Sequence, residues 1–80
     1  MDFPKLQSGQ HAVMAAEVQT GIVLSLDGKR WRKDAPAKCW RVFDSFAAAR
    51  EFATAEVAKN PLVEFWIHDQ KDHPVERISI

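Results

Sequence analysis

The chain contains one cysteine, Cys39, so no disulfide can close within it, and a lone thiol suits a reducing compartment. Its three glycines stand apart at 9, 21 and 28, which leaves no glycine-rich loop to cradle a phosphate. No run approaches the roughly 18 apolar residues of a membrane span. The opening stretch MDFPKLQSGQ lacks the basic-then-apolar order of a secretion signal. A soluble, cytoplasmic chain with no membrane partner is therefore expected. Net charge is missing too: 11 Lys and Arg balance 11 Asp and Glu, whereas dedicated nucleic-acid domains are usually basic. There is no internal repeat and no low-complexity segment.

What is present is enough for one small core. Eighty residues make a single domain, and a chain this short buries only about 60–65% of its unfolded surface. Its organising stretch is Lys38 to Asp69, which holds two of the three tryptophans and four of the five phenylalanines. Trp40-Arg41-Val42-Phe43 is aromatic and β-branched, as strands are. Asp44 or Ser45 can then cap a helix. Residues 46–58 contain seven alanines or valines and no Gly or Pro, which predicts a helix over about 45–59.

On that helix Phe46, Ala49, Phe52, Ala53 and Val57 share one face, while Ala47, Glu51, Thr54 and Ala58 point away. Ala48, Ala49 and Ala53 are small enough to let the helix lie close on a sheet. Phe52, if fully buried, would cost about 3–5 kcal/mol to truncate. Glu56 falls inside the apolar arc, either as a rim residue packing through its methylenes or as a carboxylate held at a partner surface. Lys59 suits the negative end of the helix, Asn60 can take a left-handed cap conformation, and Pro61 stops the helix.

Leu62 to His68 alternates. Val63, Phe65 and Ile67 take the face under the helix; Glu64, Trp66 and His68 take the other. Residues 11–18, HAVMAAEV, are ambiguous, with alanine favouring helix and the Gln19-Thr20-Gly21 turn favouring a strand; we read a strand. Gly21 to Leu26 alternates and precedes Asp27-Gly28, a strong signal for a two-residue hairpin. That loop would set Leu24 opposite Trp31, turning Trp31 inward and Arg30 and Arg32 outward. Asp34-Ala35-Pro36-Ala37 is a loop, Gln70 to Pro74 a polar turn, and Val75 to Ile80 a last strand. Residues 1–10 form a lead-in tethered by Phe3 and Leu6. The expected class is α+β: an antiparallel sheet of five or six strands with one helix on one face.

Candidate chemistry is sparse. His68, Asp69, Asp72 and His73 are metal-ligand types, but zinc sites favour sulfur and nitrogen in fixed geometry, so a polar turn is the better account. Cys39 with His11 or His68 would need a third group to orient the pair, and none is evident. No cofactor and no catalytic role is expected. The segment 29–41 carries six basic residues against Asp34, a net +5, and its KRWRK run could neutralise phosphates and stack a base. This makes a small nucleic-acid-binding module the alternative function. The inward reading of Trp31 and the neutral chain count against it. The remaining candidates form a recognition face: Glu64, Trp66 and His68 away from the helix, joined by Arg41 if Trp40 and Val42 face the helix, with Glu56 at the rim.

The pattern W-R-V-F-D-S, then A-x-x-F-A, then N-P-L-V-E-F-W-I-x-D runs from Trp40 to Asp69. Its fixed points include Ala49, Phe52, Ala53, Asn60, Pro61, Glu64, Ile67 and Asp69. It resembles the small immunity proteins that accompany bacterial polymorphic toxins. The resemblance covers the second half of the chain and implies a compact α+β protein whose partner is a cognate toxin domain, inhibited by occlusion. It implies no catalytic residues.

Overall fold

The structure is a computed structural model in which residues 3–34 and 38–80 are described. The elements are β1 (His11–Glu17), β2 (Val23–Leu24), β3 (Trp40–Phe43), α1 (Phe46–Lys59), β4 (Val63–His68) and β5 (Pro74–Ile78). Among the described residues they form one five-stranded antiparallel sheet with a single helix on one face, the expected α+β class. β1 is its centre. β4 pairs along one edge of it; β3 pairs with its first half and β2 with its second half along the other. β5 adds to the outer edge of β4. The alanine-rich 11–17 stretch is therefore a strand because it is paired on both sides, which overrides its helical propensity.

The second hairpin departs from expectation. Gly28 N–H donates to the Ser25 carbonyl at 2.9 Å and Ser25 N–H to the Lys29 carbonyl at 2.7 Å. Gly28 has φ +85°, so the loop is Leu26-Asp27-Gly28, a three-residue turn with glycine in the left-handed position. The Asp27 carboxylate fixes it by accepting from Lys29 N–H at 2.9 Å. One added loop residue shifts the register by one. Leu24 now opposes Arg30 in an isolated bridge, and Trp31 N–H donates to the Val23 carbonyl at 2.7 Å. Trp31 thus sits beside Val23 and not opposite Leu24. Residues 29–33 form no strand of their own, which is why the sheet has five strands. Of the 34–37 loop only Asp34 is described; residues 35–37 lie outside the described residues.

Ser45 caps α1, its Oγ accepting from Ala48 N–H at 3.1 Å. Asn60 has φ −143° and ψ 90°, not the left-handed conformation expected of it. Its N–H continues the helix to the Glu56 carbonyl at 3.0 Å, and its Oδ1 accepts from Leu62 N–H at 3.2 Å, so the side chain starts the turn instead. Ala49 and Ala53 are fully buried and Val57 nearly so, against Val13, Leu24, Val63, Phe65 and Ile67. Ala47, Glu51, Thr54 and Ala58 are exposed as expected; Ala48 and Phe46 are also exposed.

Because Ala53 has no room beyond its methyl, Ala53→Leu should destabilise the fold by about 1–3 kcal/mol through overpacking. Ile67→Ala, at a site with no exposure, should cost about 2–5 kcal/mol. Phe52 is half-buried, so Phe52→Ala should cost less than the about 3–5 kcal/mol of a fully buried ring. Urea denaturation checks all three; an unchanged midpoint for Ala53→Leu would contradict the helix–sheet contact.

Arg30 clasps Glu17 with Nε and Nη2, both at 3.1 Å, and Thr20 Oγ1 donates to the same carboxylate at 2.6 Å. The Arg30 hydrogen bonds, then that of Thr20, hold the Glu17 carboxyl below its ordinary 4.5. A depressed folded pKa contributes stability above the ordinary value that is lost as pH falls through the folded value. Arg30→Met should return the Glu17 titration, followed by carboxyl NMR, toward its ordinary value. It should also flatten the fall in melting temperature below pH 4.5. An unshifted titration would contradict the clasp.

Candidate functional site

The site grows from the alternation of β4. Val63, Phe65 and Ile67 are buried under the helix, and Glu64, Trp66 and His68 are half-buried on the opposite face. Cross-strand register extends this second face. Met14 opposes Trp40 on β3 and Trp66 on β4, and Trp66 opposes Arg77 on β5. The result is a row, Trp40–Met14–Trp66–Arg77, across four strands. Val42, Ala12 and His68 form the next row. Ala16 pairs with Val23 on one side and Glu64 on the other. Trp31 continues from Val23, so all three tryptophans lie on the face that the helix does not cover.

Trp66 is held in place. Its Nε1–H donates to Glu64 Oε1 at 3.3 Å, and Arg77 lies 5.8 Å from its ring centre while its Nη1 reaches Glu64 Oε2 at 3.6 Å. Such a fixed aromatic loses little rotamer freedom on binding. At the other end of the row Trp40 packs edge-on to His68 at 4.8 Å and to Phe3 at 4.9 Å. Leu6 is buried, so Phe3 and Leu6 do tether the lead-in. His68 Nδ1 is 2.9 Å from Asp72 Oδ1. The Trp40 Nε1 is buried with no hydrogen-bond partner among the described residues.

Arg41 is not on this face. It opposes Val13, whose side chain is in the core beneath the helix, and its guanidinium lies 5.3 Å from the Phe52 ring centre. The reason is parity. Phe43 packs on Phe52 with centroids 5.1 Å apart, and Arg41, two residues earlier, must share its side. Trp40 and Val42 consequently face away from the helix, the reverse of the expectation on which Arg41 was placed. Glu56 is also on the helix side, half-buried and 3.7 Å from Lys59 Nζ. The five nominated residues therefore divide: Glu64, Trp66 and His68 come together, while Arg41 and Glu56 meet elsewhere. Sequence reasoning missed Trp31, Trp40 and Met14 on the open face. Arg77 was missed as well: alternation set Val75, Arg77 and Ser79 against Glu76, Ile78 and Ile80, but only the pairing with Trp66 shows which side they take.

The 69–73 turn uses its polar groups internally. Asp69 Oδ1 accepts from the N–H groups of Lys71 and His73, each at 2.9 Å. These bonds, His73 first, hold the Asp69 carboxyl below its usual range. Asp72 takes φ +61° to close the turn. Among the described residues no three of His, Cys, Asp and Glu converge to hold a metal ion. Cys39 is buried, which pushes its thiol up and away from the reactive thiolate. His11 packs edge-on to Phe46 at 5.5 Å, with Nδ1 3.0 Å from the Gly9 carbonyl. Within the basic stretch, Arg30 is taken by Glu17, and Arg32 lies 3.4 Å from Asp34. No helix among the described residues is long and apolar enough to cross a membrane. Comparison with protein-family models, with curated proteins and with solved structures gave no match.

Phe3 closes one end of the aromatic row, so Phe3→Ala should raise acrylamide quenching of tryptophan fluorescence. It should also lower stability by at least the about 0.5–1.5 kcal/mol of an aromatic pair. Unchanged quenching would mean that the lead-in does not cover Trp40.

Proposed function

We infer that the chain is a non-enzymatic protein-binding protein that recognises its partner through the helix-free sheet face. The observation that carries this reading is the convergence of three tryptophans on that face, with Trp66 fixed between Glu64 and Arg77. Tryptophan and arginine are the residues most enriched at binding hot spots, and a preordered ring loses less entropy on docking. The resemblance of Trp40 to Asp69 to immunity proteins supports a specific partner: a cognate toxin domain, blocked by occlusion in the cytoplasm. Charged neighbours such as Glu64 and Arg77 then act on partner choice and association rate.

A nucleic-acid module is the second reading. It gains from Trp31, which lies with Val23 and away from Leu24, next to Arg32 and Lys33. It loses because Arg30 and Arg32 are already paired with carboxylates, which leaves less charge to neutralise phosphates.

The test is capture of partners on the tagged chain, with and without nuclease. The captured domain is then titrated against the parent and Trp66→Ala, each checked for an unchanged fold, and assayed for toxicity with and without the chain. The expected result is nuclease-resistant capture of a toxic domain, protection by the parent, and a loss of roughly thirtyfold in affinity for Trp66→Ala, equivalent to about 2 kcal/mol. Full protection by folded Trp66→Ala would move the interface off this face, and capture abolished by nuclease would favour the second reading.

A further inference from the structure

Arg41 and Glu56, the two nominated residues on the helix side of the sheet, both line a cavity of about 230 Å³. The cavity exists because α1 packs across β1, β3, β4 and β5 but does not reach β2. The hairpin after β2 forms its far wall through Ser25, Leu26 and Gly28. Its floor is apolar, made by the buried side chains of Val13, Leu24, Val63 and Phe65.

Three observations give the cavity a chemical preference. Ser25 lines the wall and is only 6% exposed, which puts a hydroxyl able to donate or accept beside the space. Arg41 makes no ion pair among the described residues; it is held at the mouth by the Phe52 ring, 5.3 Å from its guanidinium carbon. Glu56, in contrast, already has Lys59 beside it. The Cys39 thiol in the wall is kept neutral by burial, so it adds no second anion. Of the two charged side chains lining the space, Arg41 is the one with no ion pair among the described residues, above an apolar floor.

The geometry points to a binding site for a small carboxylic acid with a compact hydrocarbon body. Its carboxylate meets the Arg41 guanidinium, a pairing whose planar fork suits a carboxylate. Its hydrocarbon covers Val13, Leu24 and Phe65, and the Ser25 hydroxyl donates to the same carboxylate or to a polar substituent. The volume is below the roughly 300–1,000 Å³ of pockets for drug-sized ligands, which limits the body to a branched aliphatic chain or one ring. The site is on the opposite side of the sheet from the tryptophan face, so it stands or fails independently of protein recognition there.

Methyl-resolved NMR tests it with 4-methylpentanoate and 3-phenylpropanoate as probes and 4-methylpentanamide as the uncharged control. The acids should give saturable shifts at the methyls of Val13, Leu24 and Val63, with Met14 and Val42 on the other face unmoved. The amide should bind at least about tenfold more weakly, the loss of one charge-assisted contact. Arg41→Met, which keeps an apolar stem over Phe52, should show the same loss. Should that variant fail to fold, the acid and amide comparison on the parent chain still decides. No saturable shift at the floor methyls, equal binding of the amide, or shifts centred on Met14 would each overturn the site.

Discussion

β1 hydrogen-bonds along both edges, to β4 on one side and to β3 and β2 on the other, and this double pairing places every other element. It sets Val13 and Ala15 under the helix and Ala12, Met14 and Ala16 on the other side. A sheet has two faces, and the described residues supply one helix. Ala49 and Ala53 bring that helix close to one face. The second face must manage its apolar surface with flat aromatic rings, small alanines and the short Phe3–Leu6 lead-in.

That division packs one face tightly in a chain of this size and leaves the other for the recognition role proposed above. The helix side holds the tightly packed cluster around Ile67 and Val13. The open side is built of side chains that are half-buried by one another. Trp40, Trp66 and His68 each keep an apolar body against the sheet and part of their surface outward. Its edges are polar and internally matched: Glu64 with Trp66 and Arg77, His68 with Asp72. A face of this kind can dock a protein partner with little rearrangement, since its largest ring is already oriented.

Much of this was legible from local pattern. The 62–68 alternation gave the faces of Glu64, Trp66 and His68, and the run from Phe46 with Ser45 before it gave the helix and its cap. What was not legible depended on pairing between distant segments. Arg41 and Trp40 differ only in parity, and parity is decided by Phe43 meeting Phe52 across the sheet–helix interface. Asp27-Gly28 is compatible with a two-residue or a three-residue loop, and the difference of one residue moved Trp31 from the core side to the open side. The cavity was equally hidden, since it reflects how far α1 extends relative to β2.

The proposed recognition face rests on Trp40, Met14 and Trp66 forming one row on the side of the sheet opposite α1. Nuclear Overhauser contacts of the Met14 methyl test it most directly. That methyl should show strong contacts to the indole rings of both Trp40 and Trp66 and none to the methyls of Ala49 and Ala53. Contacts from Met14 to Ala49 or Ala53, or to only one of the two indoles, would contradict it.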